Sequence, residues 1–166
     1  MGIIDRALQR RKPAHHTIIE AHPQVYERMV AEGWTSKPNV TVLFGRWQDV
    51  ITQAGTFDGV FFDTYGEFYS DMHHFHSLLP SLLNPGGIYS FFNGMCPFNI
   101  FFHGVACELA KMELAQLDLV TVYVPLEISL DPSAWEGVRR RYWQRDTYDL
   151  PICFPSNHQS GKFRPR

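Results

Sequence analysis

The stretch Phe57-Asp58-Gly59-Val60-Phe61-Phe62-Asp63-Thr64-Tyr65-Gly66-Glu67 decides the fold. A short apolar run with no polar alternation is what a strand covered on both faces looks like, and such strands belong to parallel sheets. The run stops at Asp63, and a helical pattern follows it. Upstream, Val40 to Phe44 closes at Gly45, and Thr17-Ile18-Ile19 closes at Glu20. Downstream, Ile88 to Phe92 repeats the same form after the turn Asn84-Pro85-Gly86-Gly87.

Helical spacing fills the intervals. Gly2 to Arg11 places Ile3, Ile4, Ala7 and Leu8 on one face and ends at Pro13. Pro23 opens a helix at its favoured first position, and Gly33 ends it. Trp47 to Ile51 reads as a helical turn, Phe68 to Leu83 as a helix with Met72, Phe75, Leu78, Leu79 and Leu82 inward, and Phe98 to Leu117 as the longest helix. Leu119 to Ile128 and Val138 to Tyr148 read as two late strands, and Phe154 to Arg166 as a flexible tail. Alternating strands and helices give an α/β, Rossmann-like, doubly wound parallel sheet, with an antiparallel hairpin at the C-terminal edge. Ligands are expected at the carboxyl ends of its strands.

Composition narrows the function. The 166 residues suit one domain, read here as residues 1–153 plus the tail. Lys plus Arg is 15 and Asp plus Glu 17, a net charge of −2, so no bulk attraction to nucleic acid is expected. Arg139-Arg140-Arg141 on a strand would alternate faces and form no continuous basic stripe. Cys96, Cys107 and Cys153 have neither zinc nor disulfide spacing, which suits a reduced, cytoplasmic or nuclear setting. No secretory leader is recognisable, and the most apolar stretch, Phe91 to Ala106, is too short and interrupted to span a bilayer. No P-loop or Ser-His-Asp spacing is present. Asp71, His73, His74 and His76 read as a solvated helix face rather than a metal site, and His15, His16 and His103 have no evident partners in the sequence.

Three polar groups stand at successive strand ends and would line one crevice. Glu20 suits the ribose of a nucleotide-type cofactor, because a carboxylate accepts two hydroxyl hydrogen bonds; it could equally be a surface carboxylate. Trp47 and Gln48 offer an apolar wall and an amide for a nucleobase, or Trp47 is a core residue under a loop. Asp63, with Thr64, Tyr65 and Glu67 behind it, forms an acidic and aromatic group suited to a guanidinium or amine, or Asp63 caps the next helix. A Rossmann-type site also needs a first strand and a Gly-rich turn before the first helix, and this sequence opens directly in that helix.

Six segments now combine: Met1-Gly2-Ile3-Ile4-Asp5, "HTIIEAHP" (16–23), "GRWQDV" (45–50), "FDGVFFDTYGE" (57–67), "LLPSLLNPGGIYSFFNG" (78–94) and "VRRRYWQRDTYDLPIC" (138–153). In this order and spacing the sequence resembles the fungal protein arginine N5-methyltransferases (type IV), and more distantly guanidinoacetate N-methyltransferase. The resemblance implies S-adenosylmethionine as cofactor and the δ-nitrogen of arginine in proteins as methyl acceptor. Met1, Gly2 and Ile3 match the tail of the methionine-side loop, Glu20, Ala21 and His22 the ribose segment, and Trp47 and Gln48 the adenine segment. Asp63 matches the acidic residue near both the sulfonium and the guanidinium, with Tyr65 and Glu67 as catalytic neighbours. It implies the sheet order 3-2-(1)-4-5-7-6, with the first strand missing by N-terminal truncation. A chain lacking that strand is expected to be a poor enzyme alone. A non-catalytic remnant and a small-molecule guanidino N-methyltransferase are the other readings, and neither nucleic acid nor membrane is an expected partner.

Overall fold

In the computed structural model the described residues are 2–64, 68–94, 96, 98–128, 131, 133, 136–137 and 145–156. They form two compact units, Met1–Gly55 and Thr56–Arg166.

Unit one holds α1 (Ile3–Arg10), β1 (His16–Glu20), α2 (Pro23–Ala31), β2 (Val40–Phe44) and the short α3 (Trp47–Val50). Gly2 precedes α1 with φ 65° and ψ 46°, a left-handed conformation that costs glycine little. β1 and β2 pair in parallel from His16↔Val40 to Glu20↔Phe44. Their register brings the two carboxyl ends level. Met29 of α2, Trp34 and Val40 form the buried core, with half-buried Ile18, Val25 and Val42 against it. Trp34 lies in a 3-10 turn, Trp34–Ser36, that apolar spacing alone does not signal. His16, expected to lack a partner, is buried with its Nε2 3.2 Å from Asp5 and its Nδ1 3.1 Å from Gln9, while His15 meets Thr41 at 3.2 Å.

Unit two holds β3 (Phe57–Phe62), α4 (Tyr69–Leu82), β4 (Leu83–Phe91), α5 (Ile100–Ala115), β5 (Leu119–Glu127) and β6 (Thr147–Pro155). The sheet order is β3-β4-β6-β5, with β3 and β4 parallel and β6 antiparallel to both neighbours. Thus β2-β1 supplies the expected 3-2 and β3-β4-β6-β5 the expected 4-5-7-6. Among the described residues, neither sheet carries a further strand.

Three details of unit two depart from the sequence reading. The Asn84–Gly87 turn lies inside β4 as a bulge: Phe57 pairs with Leu83, and Gly59 pairs with Ile88. A Cβ on Gly87 would come within 2.9 Å of the Asn84 carbonyl and 3.1 Å of the Phe57 carbonyl, so the close approach requires glycine. The last strand does not match Val138 to Tyr148. Residues 138–144 lie outside the described residues, and β6 starts at Thr147 and runs through Pro151 to Pro155, two residues into the expected tail. Proline inside a run argues against a central strand, because it cannot donate to the ladder. Here the Pro151 carbonyl still accepts the Ser90 hydroxyl at 2.7 Å, and Cys153 is wholly buried.

The core of unit two joins Met72, Phe75, Leu79 and Leu82 of α4, Ala106, Ala110 and Leu114 of α5, and Tyr89 and Phe91 of β4. Phe62 and Phe75 pack as a tilted pair with centroids 4.2 Å apart. Each fully buried side chain such as Leu79 or Leu114 contributes about 1.5–3 kcal/mol. Asn99 caps α5 by accepting from the backbone N–H groups of Phe101 and Phe102.

Candidate active site

Two groups of site residues sit at strand carboxyl ends, one in each unit. In unit one, Glu20 ends β1, and its carbonyl accepts the Gly45 N–H at 3.0 Å. Its carboxylate turns towards α2, and Oε1 accepts the His22 N–H at 2.6 Å. This bond fixes the carboxylate, and Oε2 accepts no hydrogen bond among the described residues. Ala21 and His22 are exposed beside it. Two residues past Gly45, Trp47 opens α3 and is 7 % exposed, with Gln48 half-buried next to it. The structure therefore brings Glu20, Trp47 and Gln48 to one end of one strand pair. Trp47 is also a core side chain, so little of it is open to a base. Gly2 and the exposed Ile3 lie at the start of α1, and Met1 lies outside the described residues.

In unit two, Asp63 follows β3 and is exposed. It does not cap α4: the Asp71 carboxylate accepts the Phe68 N–H there, at 3.0 Å. Tyr65 and Glu67 lie outside the described residues. The neighbouring strand end supplies residues to which the sequence reading gave no role. Phe92 N–H donates to the Phe62 carbonyl at 2.9 Å, carrying the β3–β4 pairing one step past the strands. Asn93, 2 % exposed, donates its backbone N–H to the Tyr148 hydroxyl at 2.8 Å and its amide to the Asp149 carbonyl at 2.9 Å. Phe92 and Tyr148 stack at 6.0 Å and 19°. Burial, and then the charge of Asp63, raise the Tyr148 hydroxyl above its ordinary range against the Asn93 hydrogen bond, so it keeps its proton. The signal was present: Asn93 and Tyr148 belong to two of the six family-like segments.

His103, expected to lack a partner, is buried 3.8 Å from the Cys107 sulfur and 3.9 Å from Asp149. This is no nucleophilic triad. The same Nε2 faces both groups, and burial pushes the Cys107 thiol up, so it stays a thiol. Arg145 holds the Asp149 carboxylate at 2.7 Å.

The α4 histidines are a second correction. His76 is wholly buried rather than solvated. Its Nδ1 meets Glu113 at 3.0 Å and its Nε2 meets the Tyr89 hydroxyl at 3.1 Å. A carboxylate can only accept and Tyr89 has a proton to give, so His76 is neutral with its proton on Nδ1. Burial lowers its pKa, more than the Glu113 carboxylate restores it. Glu113 also takes the Tyr69 hydroxyl at 3.0 Å and His73 Nδ1. Burial opposes its charge, but the bonds from His76, Tyr69 and His73 together hold it below the usual carboxylate range. Among the described residues no group of His, Cys, Asp and Glu could hold a metal ion.

A parallel strand pair in unit one and a mixed four-stranded sheet in unit two, each with polar groups at strand ends, have the α/β make-up of a Rossmann-like methyltransferase fold. Solved structures agree at the level of fold: precorrin-6y C5,15-methyltransferase from Geobacter metallireducens (TM-score 0.54, 11 % identity, 84 % of this chain and 67 % of that one) and the O-methyltransferase TomG from Streptomyces achromogenes in complex with SAM (0.53, 13 %, 86 % and 62 %). The family model for guanidinoacetate N-methyltransferase matches residues 1–116, and the chain belongs to that family. It is 40 % identical over 162 residues to protein arginine N-methyltransferase 2 of Yarrowia lipolytica, covering 92 % of this chain and 34 % of that protein. It is 40 % identical over 171 residues to the protein of the same name from Cryptococcus neoformans, covering 92 % and 47 %. The chain thus spans less than half the length of these relatives.

Proposed function

We propose that the protein transfers the methyl group of S-adenosylmethionine to the δ-nitrogen of arginine residues in proteins. The observation that carries this reading is the 40 % identity, over 92 % of this chain, to two proteins named protein arginine N-methyltransferase 2. The residues fit the cofactor: Glu20, fixed through one oxygen, leaves the other for ribose hydroxyls, and Trp47 with Gln48 stands beside it for the adenine. TomG, which shares the fold, holds SAM in its crystal structure, and this supports the choice of cofactor. The cofactor supplies a methyl group on a sulfonium, which leaves as a neutral thioether.

The protein's part is positioning and charge. Holding the reactants in line is worth effective molarities on the order of 10⁵ M or more. Arginine stays protonated in water, so the attacked nitrogen must be made electron-rich locally. Asp63 accepts hydrogen bonds from the far edge of the guanidinium and draws its positive charge away from the δ-nitrogen, whose own proton passes to solvent as the new N–C bond forms and the methyl–sulfur bond breaks. Tyr65 and Glu67 are proposed as neighbours in this role. The free cysteines fit a cytoplasmic or nuclear enzyme, and no described helix is long and apolar enough to cross a membrane.

The family match over residues 1–116 favours a second reading, a small guanidino compound as acceptor. Radiolabelled S-adenosylmethionine with the purified protein, offered an arginine-rich protein or guanidinoacetate, separates the two. Label in the protein supports the first reading, and label only in the small product replaces it with the second.

A further inference from the structure

The methyl acceptor of the proposed reaction is flat and cationic, and unit two presents a surface of matching chemistry. In register, Phe62 pairs with Phe91, so the next residues, Asp63 and Phe92, lie alongside each other. The Phe92 ring stacks on Tyr148, which arrives on the antiparallel β6. Tyr148 is anchored by its place in β6, paired with Leu126, and by its hydroxyl. Its hydroxyl is held by the Asn93 N–H, and Asn93 is itself pinned through its amide to Asp149 and Cys107. The Asp149 carboxylate is in turn held by Arg145. A carboxylate thus stands beside a braced pair of aromatic rings. A guanidinium recognises that combination with its edge to the oxygens and its face to a ring.

We propose that Tyr148 and Phe92 form the aromatic wall of the acceptor site and that Tyr148 is a positioning residue, holding the guanidinium face while Asp63 takes its edge. The inference rests on the transferase reading above and adds the residues that select a planar cation. The hydroxyl of Tyr148 braces the ring against Asn93, and the ring does the recognising.

The test is steady-state transfer by the purified protein and its Tyr148→Leu, Tyr148→Phe and Phe92→Leu variants. It is run beside calorimetric binding of an arginine-containing peptide in the presence of S-adenosylhomocysteine, which needs no turnover. Losing one cation–aromatic contact should raise acceptor KM and peptide Kd about five- to thirtyfold in Tyr148→Leu and about threefold or more in Phe92→Leu. Tyr148→Phe, which keeps the ring, should show a smaller rise. In all three, kcat and cofactor affinity should stay within about threefold, as expected for uniform binding of ground and transition states. Phe92 is exposed, so its variant reads the wall even where Tyr148→Leu fails to fold. Unchanged peptide affinity and KM in the folded variants would overturn the wall, as would a loss confined to kcat or to cofactor binding. Peptide binding that depends on the wall, without transfer by the unmodified protein, would bring down the transferase reading alone.

Discussion

Replacing Glu113 with Leu should unsettle unit two more than any surface change. The Glu113 side chain is 14 % exposed and accepts from Tyr69, His73 and His76. His73 is largely exposed and recovers its bond from water. Tyr69 is half-buried and recovers in part. His76 is wholly buried, so its Nδ1–H has no replacement acceptor. An orphaned buried donor costs about 1–3 kcal/mol, and the lost charge-assisted bond from Tyr69 adds on the order of 1 kcal/mol. The sum, about 2–4 kcal/mol, is a large part of a domain stability of about 5–15 kcal/mol. At about 2–4 °C per kcal/mol for a chain of this size, Tm should fall by about 5–15 °C. Thermal and urea melts of Glu113→Leu, Glu113→Gln and His73→Ala check this. Gln keeps one acceptor oxygen and should lose about half as much, while His73→Ala should stay within about 0.5 kcal/mol. A Glu113→Leu protein as stable as the parent would refute the network as a support, and so would a His73→Ala loss of equal size.

The same network sets a pH dependence. The folded pKa of His76 lies below its ordinary 6.5, so the unfolded chain binds more protons in that range, and stability falls as pH drops below about 6.5. Glu113, also lowered from 4.5, contributes stability above that value and loses it on further acidification, with the same sign. Urea midpoints measured from pH 7.5 to 4.5 should decline, and His76→Gln should flatten the upper part of that decline; a parent midpoint that rises on acidification contradicts the assignment. Glu20→Ala should weaken S-adenosylmethionine binding by about 1.5–3 kcal/mol in calorimetry, the scale of hydrogen bonds to a charged group, and unchanged affinity would remove its ribose role.

Strand ends were legible where a β-branched or aromatic run meets a carboxylate, as at Ile19-Glu20 and Phe62-Asp63, because the unbroken run stops at a charge, even though most side chains of β1 and β3 are only half-buried. β6 was displaced because Pro151 and Pro155 look like strand terminators; their strand is held by pairing with Leu119 to Glu127, contacts that no local window contains. The burial of His76 was illegible for the same reason. Its acceptor, Glu113, is 37 residues away on another helix, beyond what the local grouping of Asp71, His73, His74 and His76 could show. Asn93 and Tyr148 stood within family-like segments, but only the fold joins positions 55 residues apart.

The nitrogen that receives the methyl group decides whether the protein acts on the internal position of arginine. The purified protein and its Asp63→Asn variant are incubated with radiolabelled S-adenosylmethionine and an arginine-rich protein, the protein is hydrolysed, and the labelled amino acid is identified by chromatography and mass spectrometry. The account predicts label in δ-N-methylarginine, reduced about 10²- to 10³-fold in Asp63→Asn, the scale for removing one group placed against developing charge. Label on the terminal guanidino nitrogens, or undiminished transfer by Asp63→Asn, would contradict it.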